Sequence, residues 1–102
     1  MSVKNVTTQS FSELQNEKRP ILLDFYATWC GPCRMVSPTV DEIAEEREDI
    51  FVGKINVDDS PELAKKFSIF SIPTLIVIKD GVIANQAVGV RTKEQILAMI
   101  DG

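Results

Sequence analysis

The sequence contains no histidine and only two cysteines among its 102 residues. Because structural zinc and iron–sulfur sites are held by about four Cys or His ligands, one copy of the chain cannot complete such a site. A metal shared between two copies remains conceivable on these grounds, but we expect no bound metal. Two cysteines are also too few for the disulfide framework of a small secreted protein.

The sequence also lacks a basic excess and a long apolar run. It has 11 Lys and Arg against 15 Asp and Glu, for a net charge of −4. With no basic stripe to neutralise phosphates, we expect neither nucleic acid nor an anionic membrane surface as a partner. No apolar stretch approaches the roughly 20 residues that span a bilayer, and the first residues do not resemble a signal peptide. We therefore expect a soluble, cytoplasmic protein.

No repeat, low-complexity tract or Pro/Gly-rich linker divides the chain, so we expect one domain over residues 1–102. "VKNV" predicts a weak first strand. Ser10 and Glu13 have the spacing of a capping box, which predicts a short helix after them. The run "ILLDFYA" is apolar except for one acid, as in a central strand covered on both faces.

The second half of the sequence alternates between predicted helices and predicted strands. An amphipathic helix should follow the cysteines, with Pro38 kinking it near its first turns. Its buried face should carry Val36, Val40, Ile43 and Ala44. "IFVGKINV" predicts the next strand, and Ser60 with Pro61 predicts the start of a helix that runs through Phe67.

The last segment, "TLIVIKDGVIANQAV", predicts a hairpin that turns at Asp80-Gly81. Thr92 and Gln95 form a second capping-box pattern before a final helix. Ile96, Leu97 and Ile100 should face inward from that helix. Helices between strands imply parallel crossovers, and the hairpin adds antiparallel strands. The expected class is α/β, with a central mixed sheet flanked by helices on both faces.

Both cysteines lie in the stretch "ATWCGPCRM", beside the only tryptophan. A purely structural disulfide across so short a loop would contribute only roughly 2 kcal/mol, and the cytoplasm keeps such bonds reduced. Two ordinary buried thiols remain possible, but they would not explain the Gly and Pro between them. The catalytic interpretation does explain the spacing.

Cys30 falls where a strand ends and a helix begins, so unpaired N–H groups and the helix dipole favour its thiolate. A thiolate attacks a disulfide sulfur, and Cys33, one turn later, is close enough to attack the mixed disulfide that results. Gly31 leaves room for an incoming chain, while Pro32 pre-sets a helical φ and removes an N–H from the first turn. Cys33 should be the more buried of the two thiols.

The motifs "DFYATWCGPCRM", "INVDDSPELAKKF" and "SIPTLIVIKDG", with the later Val-Gly pair, resemble the thioredoxin family in order and spacing over nearly the whole chain. The resemblance implies the thioredoxin fold and a general protein-disulfide reductase. It implies that Cys30 is the exposed nucleophile and Cys33 the resolving thiol. It implies that Asp24 is a buried acid taking the proton of that thiol, with Lys54 as its neighbour.

The resemblance further implies that Pro73 is a cis-proline opposite the cysteines. It assigns an apolar substrate-receiving surface to Trp29, Ile72, Val88 and Gly89, and places Asp58 near the tryptophan. No bound cofactor is implied, because the Cys30–Cys33 disulfide is itself the redox centre. The implied partners are thioredoxin reductase and disulfide-containing proteins such as ribonucleotide reductase, peroxiredoxin or methionine sulfoxide reductase, and we expect a monomer.

Physical reasoning supports some of these assignments without the family. Asp24 shares strand parity with Leu22 and Tyr26 in an otherwise apolar run, so burial should raise its pKa and suit it to act as a base. The alternative is an aspartate at an exposed edge. Lys54 could pair with Asp24 or could be a solvated strand lysine. Trp29, directly before an active cysteine, should be partly exposed for recognition.

The sequence departs from the family pattern at a few positions. Tyr26 stands where a second tryptophan is common, and Phe70 with Ser71 precedes the implied cis-proline. Phe70 would enlarge the apolar contact surface and alter partner preference. Two rival functions stay open at this point: another thiol enzyme on the same fold, either an oxidase or an isomerase, and a binding or assembly subunit that does not need its thiols.

Overall fold

The computed structural model describes residues 3–102, which form a five-stranded sheet with the strand order β1-β3-β2-β4-β5. The strands are β1 (Val3–Asn5), β2 (Ile21–Tyr26), β3 (Phe51–Asn56), β4 (Thr74–Lys79) and β5 (Val82–Val88). The helices are a 3₁₀ helix (Phe11–Asn16), α1 (Gly31–Glu46), α2 (Pro61–Lys66) and α3 (Lys93–Asp101).

The sheet is mixed, as predicted. Strands β1, β3 and β2 run parallel, whereas β4 is antiparallel to β2 and β5 is antiparallel to β4. β2 lies at the centre, and five of its six residues are buried. In the ladder Asp24 is paired with Lys54 on one side and with Leu75 on the other.

Helices cover both faces of the sheet, which confirms the predicted architecture. One apolar cluster joins the sheet to α1 and α3 through Leu22, Val36, Val40, Ile43, Leu75, Val77, Ile96 and Ile100. The opposite cluster joins it to α2 and the 3₁₀ helix through Leu23, Phe25, Ile55, Leu63 and Ile76, with Phe11 and Phe67 packed at its margin. Leu97 is partly buried against the first cluster. Within the described residues, no helix has both the length and the apolar character needed to cross a membrane.

The predicted hairpin and the last helix cap are confirmed. Asp80 and Gly81 have φ values of 53° and 81°, as a type I′ turn between antiparallel strands requires. At the start of α3, the Gln95 backbone N–H donates to the Thr92 hydroxyl at 3.1 Å, and the Thr92 N–H donates to the Gln95 side chain at 2.9 Å. Both halves of the capping box are therefore formed.

The first predicted capping box is wrong. Ser10 does precede a helix, but that helix is 3₁₀ and the serine side chain makes no cap hydrogen bond to it. The Ser10 hydroxyl instead accepts from the backbone N–H of Thr7 at 3.0 Å, because the chain turns tightly before the helix. The tight turn uses the acceptor that a capping box needs.

Two other helix predictions need small adjustments. Ser60 is the N-cap of α2, but its hydroxyl accepts from the Thr8 N–H at 3.2 Å and ties α2 to the N-terminal segment. α2 ends at Lys66, with Phe67 as its C-cap rather than its last turn. Pro38 lies inside α1, and the kink expected there stays a prediction.

Candidate active site

The two cysteines form a disulfide at the N-terminus of α1, where β2 delivers the chain to the helix. Cys30 is the N-cap, with φ −96° and ψ 112°, and Cys33 lies in the first turn, with the Cα atoms 5.3 Å apart. The backbone N–H of Cys33 donates to the Cys30 sulfur at 3.2 Å. An N–H donor and the positive end of the helix dipole therefore both act on this sulfur, which favours a thiolate after reduction.

The expectation that Cys30 is exposed is wrong for this disulfide form. Only 5% of Cys30 and 3% of Cys33 is accessible, so the predicted order of burial holds by a small margin. The two residues form a small apolar cluster with Ala27, against which Tyr26 and Ile72 pack. These neighbours cover Cys30 although it caps the helix.

A cis peptide bond joins Ile72 to Pro73 beside the disulfide, as the resemblance implied. The Cys30 sulfur lies 3.9 Å from the carbonyl oxygen of Ile72. Gly89 reaches the same loop, because its N–H donates to the Pro73 carbonyl at 2.8 Å. Its φ of 97° is a left-handed conformation that glycine adopts without a steric penalty.

Several exposed apolar residues surround this point. Trp29 is 67% exposed, and its indole N–H donates to Asp58 at 2.8 Å, which places that acid where the resemblance put it. Val88 is half exposed and is paired with Thr74, next to the cis-proline. A Cβ at Gly31 would meet nothing within 4 Å, so the space beside this residue is open. Pro32 occupies the first turn of α1, as predicted.

Phe70 extends this apolar region along the loop that leads to the cis bond. It lies two residues before Ile72, and 93% of its surface is accessible. Sequence reasoning identified it as a departure from the family pattern that would enlarge the apolar contact surface. The structure adds that this large aromatic side chain is almost fully exposed on the loop before the cis-proline.

Asp24 is buried beneath the site, on the sheet face that α1 covers. Only 1% of its surface is accessible, and neither carboxylate oxygen has a hydrogen-bond partner among the residues that the structure describes. Burial raises the pKa of Asp24 from 3.8 to about 6, with the charge of Lys54 opposing the rise and that of Asp41 adding to it. The raised pKa expected from the sequence is confirmed, and its main cause is loss of hydration.

Lys54 forms no ion pair with Asp24, which was one of the two possibilities that the sequence left open. Its ammonium lies 2.7 Å from Asp41 of α1 and also donates to the hydroxyl of Ser37. It is not a solvated lysine either, since only 15% of its side chain is accessible. Sequence reasoning missed both Ser37 and Asp41 as partners of Lys54. Both follow Cys33 at intervals of four residues, and this spacing is the signal that could have found them.

Among residues 3–102, no group of three or more His, Cys, Asp or Glu side chains is arranged to hold a metal ion. The reactive group of the site is the disulfide itself. A dithiol–disulfide pair at a helix N-terminus, facing a cis-proline loop on a mixed sheet, defines a thiol–disulfide oxidoreductase.

Comparison with known proteins gives the family. The family model described as Thioredoxin matches residues 2–102. The thioredoxin of Pyropia yezoensis is 50% identical over 103 residues, covering 99% of this chain and 96% of the relative. The thioredoxins of Porphyra purpurea (54% over 91 residues, 87% and 85% covered) and Mycobacterium tuberculosis (48% over 94 residues, 90% and 81% covered) are also similar. The chain belongs to the thioredoxin family, and its function is protein-disulfide reduction through its own redox-active disulfide.

Proposed function

We propose that Cys30 is the nucleophile and Cys33 the resolving thiol of this reductase. The Cys30 thiolate attacks one sulfur of a partner's disulfide, and the partner's other sulfur leaves as a thiolate. Cys33 then attacks the Cys30 sulfur, which closes the Cys30–Cys33 disulfide and releases the partner's second thiolate. Two electrons pass to the partner, whose thiolates take up protons. The Cys33 N–H that donates to the Cys30 sulfur is the observation that carries this assignment.

Asp24 is the proton acceptor for Cys33 in this proposal. A thiol is a poor nucleophile until it loses its proton, so the resolving step needs a base that is ready near neutral pH. A buried carboxyl whose pKa is about 6 meets that need, because above pH 6 it is ionised but remains more basic than an exposed aspartate. Lys54, its partner in the ladder, modulates the charge around it.

The substrate polypeptide docks across the apolar surface around the disulfide. Trp29, oriented by Asp58, borders one side of that surface, and the cis-proline loop borders the other. The backbone N–H of Ile72 donates to no acceptor within residues 3–102, which suits it to pair with an extended substrate segment. The surface comprises Trp29, Gly31, Pro32, Ile72, Pro73, Val88 and Gly89.

The proposal includes a cellular cycle in the cytoplasm. Family members generally act with thioredoxin reductase and with disulfide-containing substrates. We assign this chain an NADPH-dependent flavoprotein reductase as its electron donor. Ribonucleotide reductase, peroxiredoxin and methionine sulfoxide reductase are candidate acceptors. Residues 1–102 act in this cycle as a monomer and as one domain. The single sheet to which every described strand belongs supports the single domain.

The direct test is the reduction of insulin disulfides with dithiothreitol as electron source. We expect the wild type to accelerate the reaction and both Cys30→Ser and Cys33→Ser to fall to the uncatalysed rate. Loss of activity in both variants would establish a dithiol couple. A folded wild type with two free thiols that only matches the blank would overturn the mechanism. A partner still bound by the double Ser variant would identify a function independent of the thiols.

A further inference from the structure

The ammonium group beside the buried acid is held by two side chains of α1. Lys54 and Asp24 are partners in the β2–β3 ladder, so their side chains leave the same face of the sheet, beneath α1. Nevertheless, the Lys54 ammonium makes its ion pair with Asp41 and its hydrogen bond with Ser37, while both Asp24 oxygens stay without a hydrogen-bond partner in residues 3–102. The nearest cation is thus engaged by another carboxylate.

The two groups that hold Lys54 belong to the helix that carries the resolving cysteine. Ser37 follows Cys33 by four residues, and Asp41 follows Ser37 by four more, so all three lie along one side of α1. The Ser37 carbonyl is a third acceptor, 3.5 Å from the ammonium. Asp41 is 54% exposed whereas Asp24 is 1% exposed, so the carboxylate that pairs with Lys54 lies nearer to solvent than the buried acid does.

We propose that Asp41, assisted by Ser37, is a positioning residue of the reductase: it holds the Lys54 ammonium away from Asp24 and thereby preserves Asp24 as the base for Cys33. This inference rests on the role proposed above for Asp24. This role differs from the stabilisation that a surface ion pair provides. Asp41 changes the charge around Asp24, with which it forms neither a hydrogen bond nor an ion pair.

Few charged or titratable groups face Asp24. β3 contributes Lys54, α1 contributes Asp41, and β4 contributes only the apolar Leu75 in the ladder. Lys54 lowers the pKa of Asp24 and Asp41 raises it. Loss of Asp41 would remove a negative charge and release a positive one toward the acid, so both effects favour the ionised carboxylate and weaken it as a base.

The first experiment compares Asp41→Asn with Glu42→Gln. Glu42 is the next residue of α1, is similarly exposed, and pairs with Lys93 at 3.2 Å, away from the Asp24 cluster. Carbon-13 NMR of the Asp24 carboxyl, in the oxidised and reduced protein, gives its titration midpoint directly. We expect Asp41→Asn to lower that midpoint by roughly 1 pH unit and Glu42→Gln to leave it in place. An unmoved midpoint in folded Asp41→Asn would overturn the proposal.

A second variant distinguishes positioning from simple repulsion between two acids. In a Lys54→Met background there is no cation for Asp41 to hold, so Asp41→Asn should shift the Asp24 midpoint much less than it does with Lys54 present. Equal shifts in the two backgrounds would show that Asp41 acts without the lysine, and the positioning role would be wrong. This double-mutant comparison cancels the effects of Asp41→Asn that do not depend on the interaction between Asp41 and Lys54.

The kinetic readout is the resolving step itself. Reaction of the reduced protein with 5,5′-dithiobis(2-nitrobenzoate) releases one chromophore when Cys30 attacks and a second when Cys33 resolves the mixed disulfide. We expect Asp41→Asn to slow only the second release at pH 7, about threefold, because a weaker base deprotonates Cys33 less well. An unchanged second release would contradict the proposal. If Asp24→Asn also resolves at the wild-type rate, the base assignment itself fails, whereas the NMR result still reports whether Asp41 controls the charge near Asp24.

Discussion

The sulfur of Cys30 lies 3.9 Å from the carbonyl oxygen of Ile72, which is 42 residues further along the chain. The contact exists because β2 and β4 are antiparallel neighbours, with Phe25 paired to Thr74. The end of β2 and the start of β4 therefore meet at one edge of the sheet. Cys30 follows the C-terminal end of β2, and the cis-proline loop precedes the N-terminal end of β4. A partner protein can consequently place its disulfide against the Cys30 sulfur while its backbone pairs with the cis-proline loop.

Replacing Asp24 with Asn should stabilise the oxidised protein at alkaline pH. Because the folded-state pKa of Asp24, about 6, exceeds its ordinary value of 3.8, the folded protein binds this proton more tightly than the unfolded chain. Stability associated with Asp24 is therefore greatest below pH 4 and falls as the pH rises to 6. The difference of about 2 between the folded-state and ordinary pKa values corresponds to about 3 kcal/mol in the free energy of unfolding.

Denaturant unfolding at pH 4 and pH 8 measures this effect as a difference between wild type and Asp24→Asn. The gain of the variant should be about 3 kcal/mol larger at pH 8 than at pH 4. The buried amide lacks partners at both pH values, so its cost cancels in the comparison. A gain that is independent of pH would show that Asp24 does not titrate abnormally in the fold.

Replacing Asp58 with Ala should weaken the reduction of protein substrates without destabilising the fold. Asp58 accepts the indole N–H of Trp29, and both side chains are exposed, so unfolding free energy should change by less than about 0.5 kcal/mol. The freed indole must be ordered again on binding, which should lower kcat/KM for insulin about two- to tenfold. Asp59→Ala, an exposed acid one residue later, is the control and should retain wild-type kcat/KM.

Replacing Phe70 with Ser should slow the reduction of polypeptide disulfides but not that of small disulfides. The 93% exposed ring can be buried by an apolar side chain of a substrate, so its loss should lower kcat/KM for insulin up to about tenfold. A small aromatic disulfide presents no flanking chain, and its rate should be unchanged. Val82→Ser provides a matched control, since Val82 is 65% exposed but lies at the opposite end of the β4–β5 hairpin. Equal losses for the two variants would contradict a docking role for Phe70.

Replacing Thr92 with Ala should destabilise the protein by about 1 kcal/mol, because the N–H of Gln95 loses its acceptor at the start of α3. Thr92→Ser keeps the hydroxyl and should remain close to wild type. Neither change touches the disulfide, so insulin reduction should be unaffected by both. Urea unfolding monitored by circular dichroism measures the difference, and equal midpoints for Ala and Ser would indicate that the cap contributes little.

Much of the fold could be predicted because it depends on local patterns. The apolar run of β2, the helical spacing of α1 and the Asp80-Gly81 turn each correspond to one element of the structure. The failure at Ser10 has the same origin. Ser10 and Glu13 have the spacing of a capping box, but the Ser10 hydroxyl is used by Thr7 in a tight turn that the spacing does not reveal.

The chemistry of the site could be predicted from the sequence alone. Two cysteines at CxxC spacing, at a strand-to-helix junction and within family motifs, are sufficient to indicate a disulfide reductase. The burial of Asp24 also followed from its place in an apolar strand. Such features depend on residues that are close in the chain, whose geometry is set by the backbone of one strand or one helix turn.

Which distant groups meet depends on the tertiary structure. It placed Ile72 against Cys30, left Phe70 in solvent and gave Lys54 to Asp41 rather than to Asp24. These outcomes depend on how α1 lies across β3 and on how the loop before β4 meets the end of β2. A long lysine side chain can reach more than one carboxylate, and its choice depends on hydration and distance in the packed protein, which residue spacing along the chain does not encode.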